Sequence, residues 1–144
     1  LWFDPEPNRP NSIAPGKRPL CNICPVVVAK DGKPWFCIGA SGGRRIVPAV
    51  AQLSLMLIDR GLDVEAAFHQ PRIDVSGVGP IRVNRELPDA VKQAIATKLP
   101  IVEVANQVSP MGFANPCCIV RDPTTGELTG MNEVMSPWAG GAAQ

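Results

Sequence analysis

The stretch Gly39-Ala-Ser-Gly-Gly-Arg-Arg45 joins an apolar run to a second apolar run of helical period. Gly42-Gly43 ahead of a helix can present successive backbone N–H groups to a developing negative charge. The competing reading is a plain tight turn. On the residues alone that plain turn is the stronger, because glycine pairs at turns are commonplace. No Gly-Lys-Ser/Thr follows, so the stretch is not a phosphate-binding P-loop, and it lacks the G-x-G-x-x-G spacing of dinucleotide sites. Arg44 either offers positive charge to an acidic substrate or complements the surface.

Three other groups invite chemistry. Cys21-Asn22-Ile23-Cys24 has the C-x-x-C spacing of a redox pair or half a zinc site. A redox pair wants its first cysteine at a helix N-terminus, whereas here Pro25 and a valine run follow. A four-thiolate zinc site would need the adjacent Cys117 and Cys118, so the residues favour two small buried thiols. His69 is the only histidine, and its position at the end of a short helix favours a helix-end role over general-base work. Ser41 and Ser136 lack the G-x-S-x-G context of a serine nucleophile. No motif calls for a metal or another cofactor.

The elements that must position these groups are readable from periodicity. Residues 1–25 are proline-rich and are expected to run extended along a surface or into a site. Val26–Ala29 and Pro34–Ile38 form a hairpin about Lys30-Asp31-Gly32-Lys33. Ile46, Val50, Leu53 and Leu57 make one buried stripe of a helix that Gly61 caps. Asp63 N-caps a second helix through Phe68. Residues 73–75 and 81–83 read as strands, and 88–98 as an amphipathic helix with Val91 and Ile95 on its apolar face. Three more strands are expected at 101–104, 117–120 and 127–131. Strand pairs with hairpin-short connections alternate with helices, so the fold class is α+β rather than doubly wound.

Bulk properties narrow the function. The 144 residues suit one domain or a piece of a larger one. A net charge of +1 gives no electrostatic case for nucleic acid or an anionic membrane. No apolar run reaches the roughly 20 residues that span a bilayer. The opening LWFDPEPNRP has neither an initiator methionine nor a charged leader, which suggests the middle of a longer polypeptide. Five cysteines cannot all pair within the chain and point to free thiols, hence to a reducing compartment such as the cytoplasm.

Three stretches together go further: PNSIAPGKRPLCNICPVVV (10–28), DGKPWFCIGASGGRRIV (31–47) and GLDVEAAFHQPRI (61–73). In order and spacing they resemble the small subunit of the gamma-glutamyltransferase family. Its members show P-x-K-R-P-L-S-S-M-S-P-T, then D-G-K-P with G-S-P-G-G-S-R-I, then a helix running into Pro-Arg. The resemblance implies part of an N-terminal-nucleophile hydrolase with an αββα sandwich. Residues 1–144 would be a single-domain fragment, the downstream portion of that subunit. Such proteins cleave their own precursor to free a threonine that attacks an amide carbonyl, and here the threonine would lie upstream of Leu1. The implied partners are the upstream part of the small subunit, the large subunit and a small-molecule amide. Exported bacterial relatives make a periplasmic location the alternative.

Carried across by position, Gly42 and Gly43 match the family's oxyanion-hole glycines, and Cys21 and Asn22 match its two carboxylate-binding serines. Two departures follow. A thiol at Cys21 is a weak donor, although Asn22 can still donate. The acid that pairs with the substrate's α-amino group precedes a phenylalanine in the family, whereas Leu1 and Trp2 precede Phe3 here. Both ends of the glutamyl site are therefore altered, which favours an apolar or uncharged acyl group.

Overall fold

A computed structural model describes residues 4, 6–77, 79–108 and 111–141. Leu1, Trp2 and Phe3, and with them the expectation about the missing acid, lie outside the described residues.

Strands β1 (Val26–Lys30) and β2 (Lys33–Ser41) form the expected hairpin. Asp31 and Gly32 carry φ of 52° and 73° at its turn. Positive φ at both central residues matches the twist of the flanking strands. Strand β2 runs three residues past the expected end. Its far edge pairs antiparallel with β6 (Asn115–Arg121), from Phe36 opposite Val120 to Ser41 opposite Asn115. Strand β7 (Leu128–Asn132) completes a sheet of order β1-β2-β6-β7.

One face of this sheet is closed by helix α1 (Ile46–Ile58). All four residues of the expected stripe, Ile46, Val50, Leu53 and Leu57, are buried there with Phe36, Ile38 and Cys118. Helix α2 (Val64–Phe68) adds Val64, Ala67 and Phe68 to the same core. Its N-cap is Asp63, whose Oδ1 accepts from the Ala66 amide at 2.7 Å. His69 C-caps it, with Nδ1–H donating to the Glu65 carbonyl at 2.8 Å.

The second sheet is smaller, of order β3-β4-β5. Strands β3 (Ile73–Asp74) and β4 (Ile81–Asn84) pair antiparallel. Strands β4 and β5 (Ile101–Val104) are parallel, with α3 (Asp89–Ala96) as the crossover between them. The apolar face expected for α3 is not buried: Val91 is exposed and Ile95 half-buried. Helix α3 lies mainly against β5, an edge strand of this three-stranded sheet.

The N-terminal segment departs from a fully extended path. Its first part folds back, with the Asp4 amide donating to the Asn11 carbonyl at 2.8 Å and Asp4 pairing with Arg9 at 3.3 Å. Only the later part runs along the domain without regular structure. The expectation of two buried thiols fails there: Cys21 is exposed and Cys24 half-buried. That stretch has no strand partner, and Cys24 alone leans on the core.

Candidate functional site

The β2–α1 junction is built as a tight reversal. Ser41 ends the ladder, Gly42 leaves it at φ 139°, and Gly43 opens a 3-10 turn (Gly43–Arg45) at φ 64°. Backbone at these angles favours glycine. Gly42 is further constrained by space, because a Cβ there would sit 2.8 Å from Ala114 Cα and 2.9 Å from Ala114 Cβ. Within the turn, carbonyls are used: Arg45 N–H donates to Gly42 O at 3.3 Å, and Ile46 N–H to Gly43 O. Neither the Gly42 nor the Gly43 amide donates to any described residue.

Both glycines line a cleft of about 590 Å³ between the turn and the second sheet. Its charged groups are Arg44, Arg45, Arg82 and Asp74. Asp74 is 5% exposed and meets two of these arginines on one oxygen: Oδ2 is 3.6 Å from Arg45 Nε and 3.8 Å from Arg82 Nη1. Its Oδ1 accepts from the Ser76 amide at 2.9 Å. Arg45 Nη1 also donates to the Met111 carbonyl at 2.7 Å, which ties the loop before β6 to the turn. Arg44 is exposed and makes no ion pair among the described residues.

Asn22 reaches this junction from the N-terminal segment. Its Nδ2 lies 3.9 Å from the point a Gly43 Cβ would occupy. Both polar atoms of its amide are buried without a hydrogen-bond partner among the described residues. A buried amide left unpaired costs free energy. Of the candidate residues, then, Gly42, Gly43 and Asn22 converge, whereas Cys21 is exposed to solvent. No group of three or more His, Cys, Asp or Glu among the described residues could hold a metal ion. No helix among them is long and apolar enough to cross a membrane.

Asp74 and Arg82 were not singled out by sequence reasoning. The available signal was an acid inside the apolar run Ile73-Asp74-Val75 and a cation inside Ile81-Arg82-Val83. Charges in half-buried strands need partners. The partners themselves are set by the pairing of Asp74 with Arg82 across β3 and β4.

The fold and this glycine turn define an α+β domain with a paired-amide cleft, and sequence comparison supplies the family. A profile of the gamma-glutamyltranspeptidase family matches residues 2–143, and the chain belongs to that family. It is 36% identical over 96 residues to the Acylase ACY 1 proenzyme of Pseudomonas sp. (strain SE83), covering 67% of this chain and 17% of that protein. It is 31% identical over 129 residues to the glutathione hydrolase proenzyme of Bacillus subtilis (strain 168), covering 90% of this chain and 21% of that protein. The chain thus spans about a fifth of the length of these curated relatives. Among solved structures, cephalosporin acylase from Bacillus halodurans superposes with TM-score 0.80 at 30% identity, over 94% of this chain and 25% of that one. An acivicin-inhibited gamma-glutamyltranspeptidase shares the fold, with TM-score 0.79 at 24% identity over 94% and 77%. The α+β class and the N-terminal-nucleophile hydrolase fold expected from the sequence are those of these neighbours.

Proposed function

We propose that the complete protein is an amide hydrolase or acyltransferase whose acyl-enzyme forms on a threonine supplied from outside these 144 residues. The threonine hydroxyl adds to the amide carbonyl and the C–N bond breaks. The hydroxyl proton passes to the departing amine, and water or an amine then releases the acyl group from the ester. Gly42 and Gly43 serve as the oxyanion donors of both tetrahedral intermediates. The observation that carries this reading is their pair of amides on the wall of the cleft, neither of which donates to another described residue. Asn22, with its unpaired amide, and Cys21 hold the acyl head group.

The acyl group favoured here is not a standard glutamyl, given Cys21 and the altered N-terminal segment. The likeness to a protein named an acylase supports this. A second reading, a true glutathione hydrolase, draws on the longer match to the Bacillus subtilis protein. Full-length processed protein assayed on γ-glutamyl and aliphatic-acyl anilides decides between them. Faster turnover of the aliphatic anilide is expected, and a strong γ-glutamyl preference would remove the altered specificity. No turnover of any amide would remove the enzymatic reading in favour of a scaffold subunit. The isolated 144 residues are expected to be inactive.

The upstream part of the small subunit and the large subunit are the proposed partners. Support comes from the uncovered face of the first sheet, where Val27, Cys37 and Ile119 lie in one cross-strand row. Val27 is 77% exposed and Ile119 47%, with Cys37 and Cys117 also exposed. A sheet face of this composition is one that folded proteins cover. In the complete protein, Cys37 and Cys117 are expected to react with a maleimide only slowly until it is denatured. Cys118 is expected to stay unreactive in the native state, since burial and the neighbouring Cys37 and Cys117 thiols push its pKa up to about 12. Rapid native labelling of Cys37 and Cys117 would show that no partner covers this face.

A further inference from the structure

We infer that the cleft beside Gly42-Gly43 is a carboxylate-binding subsite, in which Arg44 and Arg82 grip an anionic group on the part of the substrate away from Asn22. The charge balance is the first argument. Three arginines, Arg44, Arg45 and Arg82, line the cleft with a single carboxylate, that of Asp74. Asp74 does not saturate its two partners, because separations of 3.6 and 3.8 Å exceed good hydrogen-bond lengths. Arg82 therefore keeps most of its five donors available, and Arg44 keeps all of its own among the described residues.

The backbone adds to the same sign. The 3-10 turn and the start of α1 have no acidic residue in their first turns, and carry Arg44 and Arg45 instead. A helix start normally gathers negative charge, so this end is electrostatically incomplete. The cleft volume of about 590 Å³ suits a small organic ligand. Planar guanidinium forks bind carboxylates in paired hydrogen bonds. Asn22 lies beside Gly43 but is not among the residues that line the cleft, and the subsite is accordingly assigned to the leaving group or acceptor.

That last assignment rests on the proposed oxyanion role of Gly42-Gly43, whereas the binding itself does not. The test is accordingly an equilibrium titration of the full-length processed protein, read by calorimetry without turnover, with glutarate and its uncharged diamide, glutaramide. Glutarate is expected to bind at least about tenfold tighter than glutaramide. Arg44→Ser and Arg82→Gln should each weaken glutarate about five- to tenfold. Arg60→Ser, which removes the same charge at the other end of α1, should leave it unchanged. Equal binding of the two ligands, no binding of glutarate, no loss in both cleft variants, or an equal loss with Arg60→Ser would each overturn the subsite. Loss of all amide turnover alongside intact glutarate discrimination would instead overturn the catalytic reading and leave the anion site standing.

Discussion

Gly42→Ala in the complete protein is expected to lower kcat at least about 100-fold, while Gly43→Ala costs much less. The asymmetry follows from geometry. An alanine Cβ at position 42 meets Ala114 Cα at 2.8 Å and Cβ at 2.9 Å, in a backbone with φ 139°. Ala114 is buried beside Phe113 at the approach to β6, and the contact is with its backbone as well as its side chain. A clash with backbone is not relieved by a side-chain rotation, so the turn or the chain at Ala114 must shift, although the amide itself is kept. Displacing a catalytic group by about 1 Å costs on the order of 100-fold, and losing an oxyanion donor costs 100- to 1000-fold. At position 43 the only near atom among the described residues is Asn22 Nδ2 at 3.9 Å, an ordinary contact. Alanine there meets only the left-handed backbone cost of about 1–2 kcal/mol. Initial rates of both variants, with thermal melts to separate turn distortion from unfolding, decide the matter. Equal and small losses would remove the Gly42 amide from the chemistry.

What the sequence disclosed and what it withheld divide along chain distance. The α1 stripe from Ile46 to Leu57, the Asp63 cap and the Asp31-Gly32 turn are written in residues within a few positions of one another. Each was legible, because local periodicity and cap chemistry do not depend on the rest of the fold. The order β1-β2-β6-β7 was not, since it lays Asn115–Arg121 against a strand some 80 residues earlier. The helix α3 was legible but its sparse cover was not, because an amphipathic pattern states which side wants cover but not how much cover a narrow sheet provides. At the site, the glycine pair was legible through its unusual backbone demands. The Asp74–Arg45–Arg82 cluster joins three separate elements and was hidden. Asn22 and Gly43 were assigned to one site only through the family motifs, because nothing local says where an irregular segment will land.

Replacing Glu133 with alanine is expected to destabilise the fold by about 3–5 kcal/mol, the usual cost of stripping one partner from a buried ion pair. Arg72 and Glu133 are 4% and 3% exposed and form a direct contact through Arg72 Nη2 and Glu133 Oε2. Glu133 Oε1 accepts from Asn106 Nδ2 and from the Met135 amide, each at 3.3 Å. The pair thus ties three segments together: the exit from α2, the stretch after β5 and the chain following β7. Its bearing on the cleft is direct, since Arg72 immediately precedes β3 and its Asp74. Removing Glu133 leaves a guanidinium without a counter-charge in the interior, where its Nη1 already lacks a hydrogen-bond partner among the described residues. Because such pairs carry a large desolvation cost, Arg72→Met with Glu133→Leu should recover most of the loss. Thermal melts of Glu133→Ala and of the double variant test this, with a drop of roughly 10 °C for the single change. A shift under about 2 °C, or a double variant as unstable as the single, would show that β3 and Asp74 are held in place by other contacts.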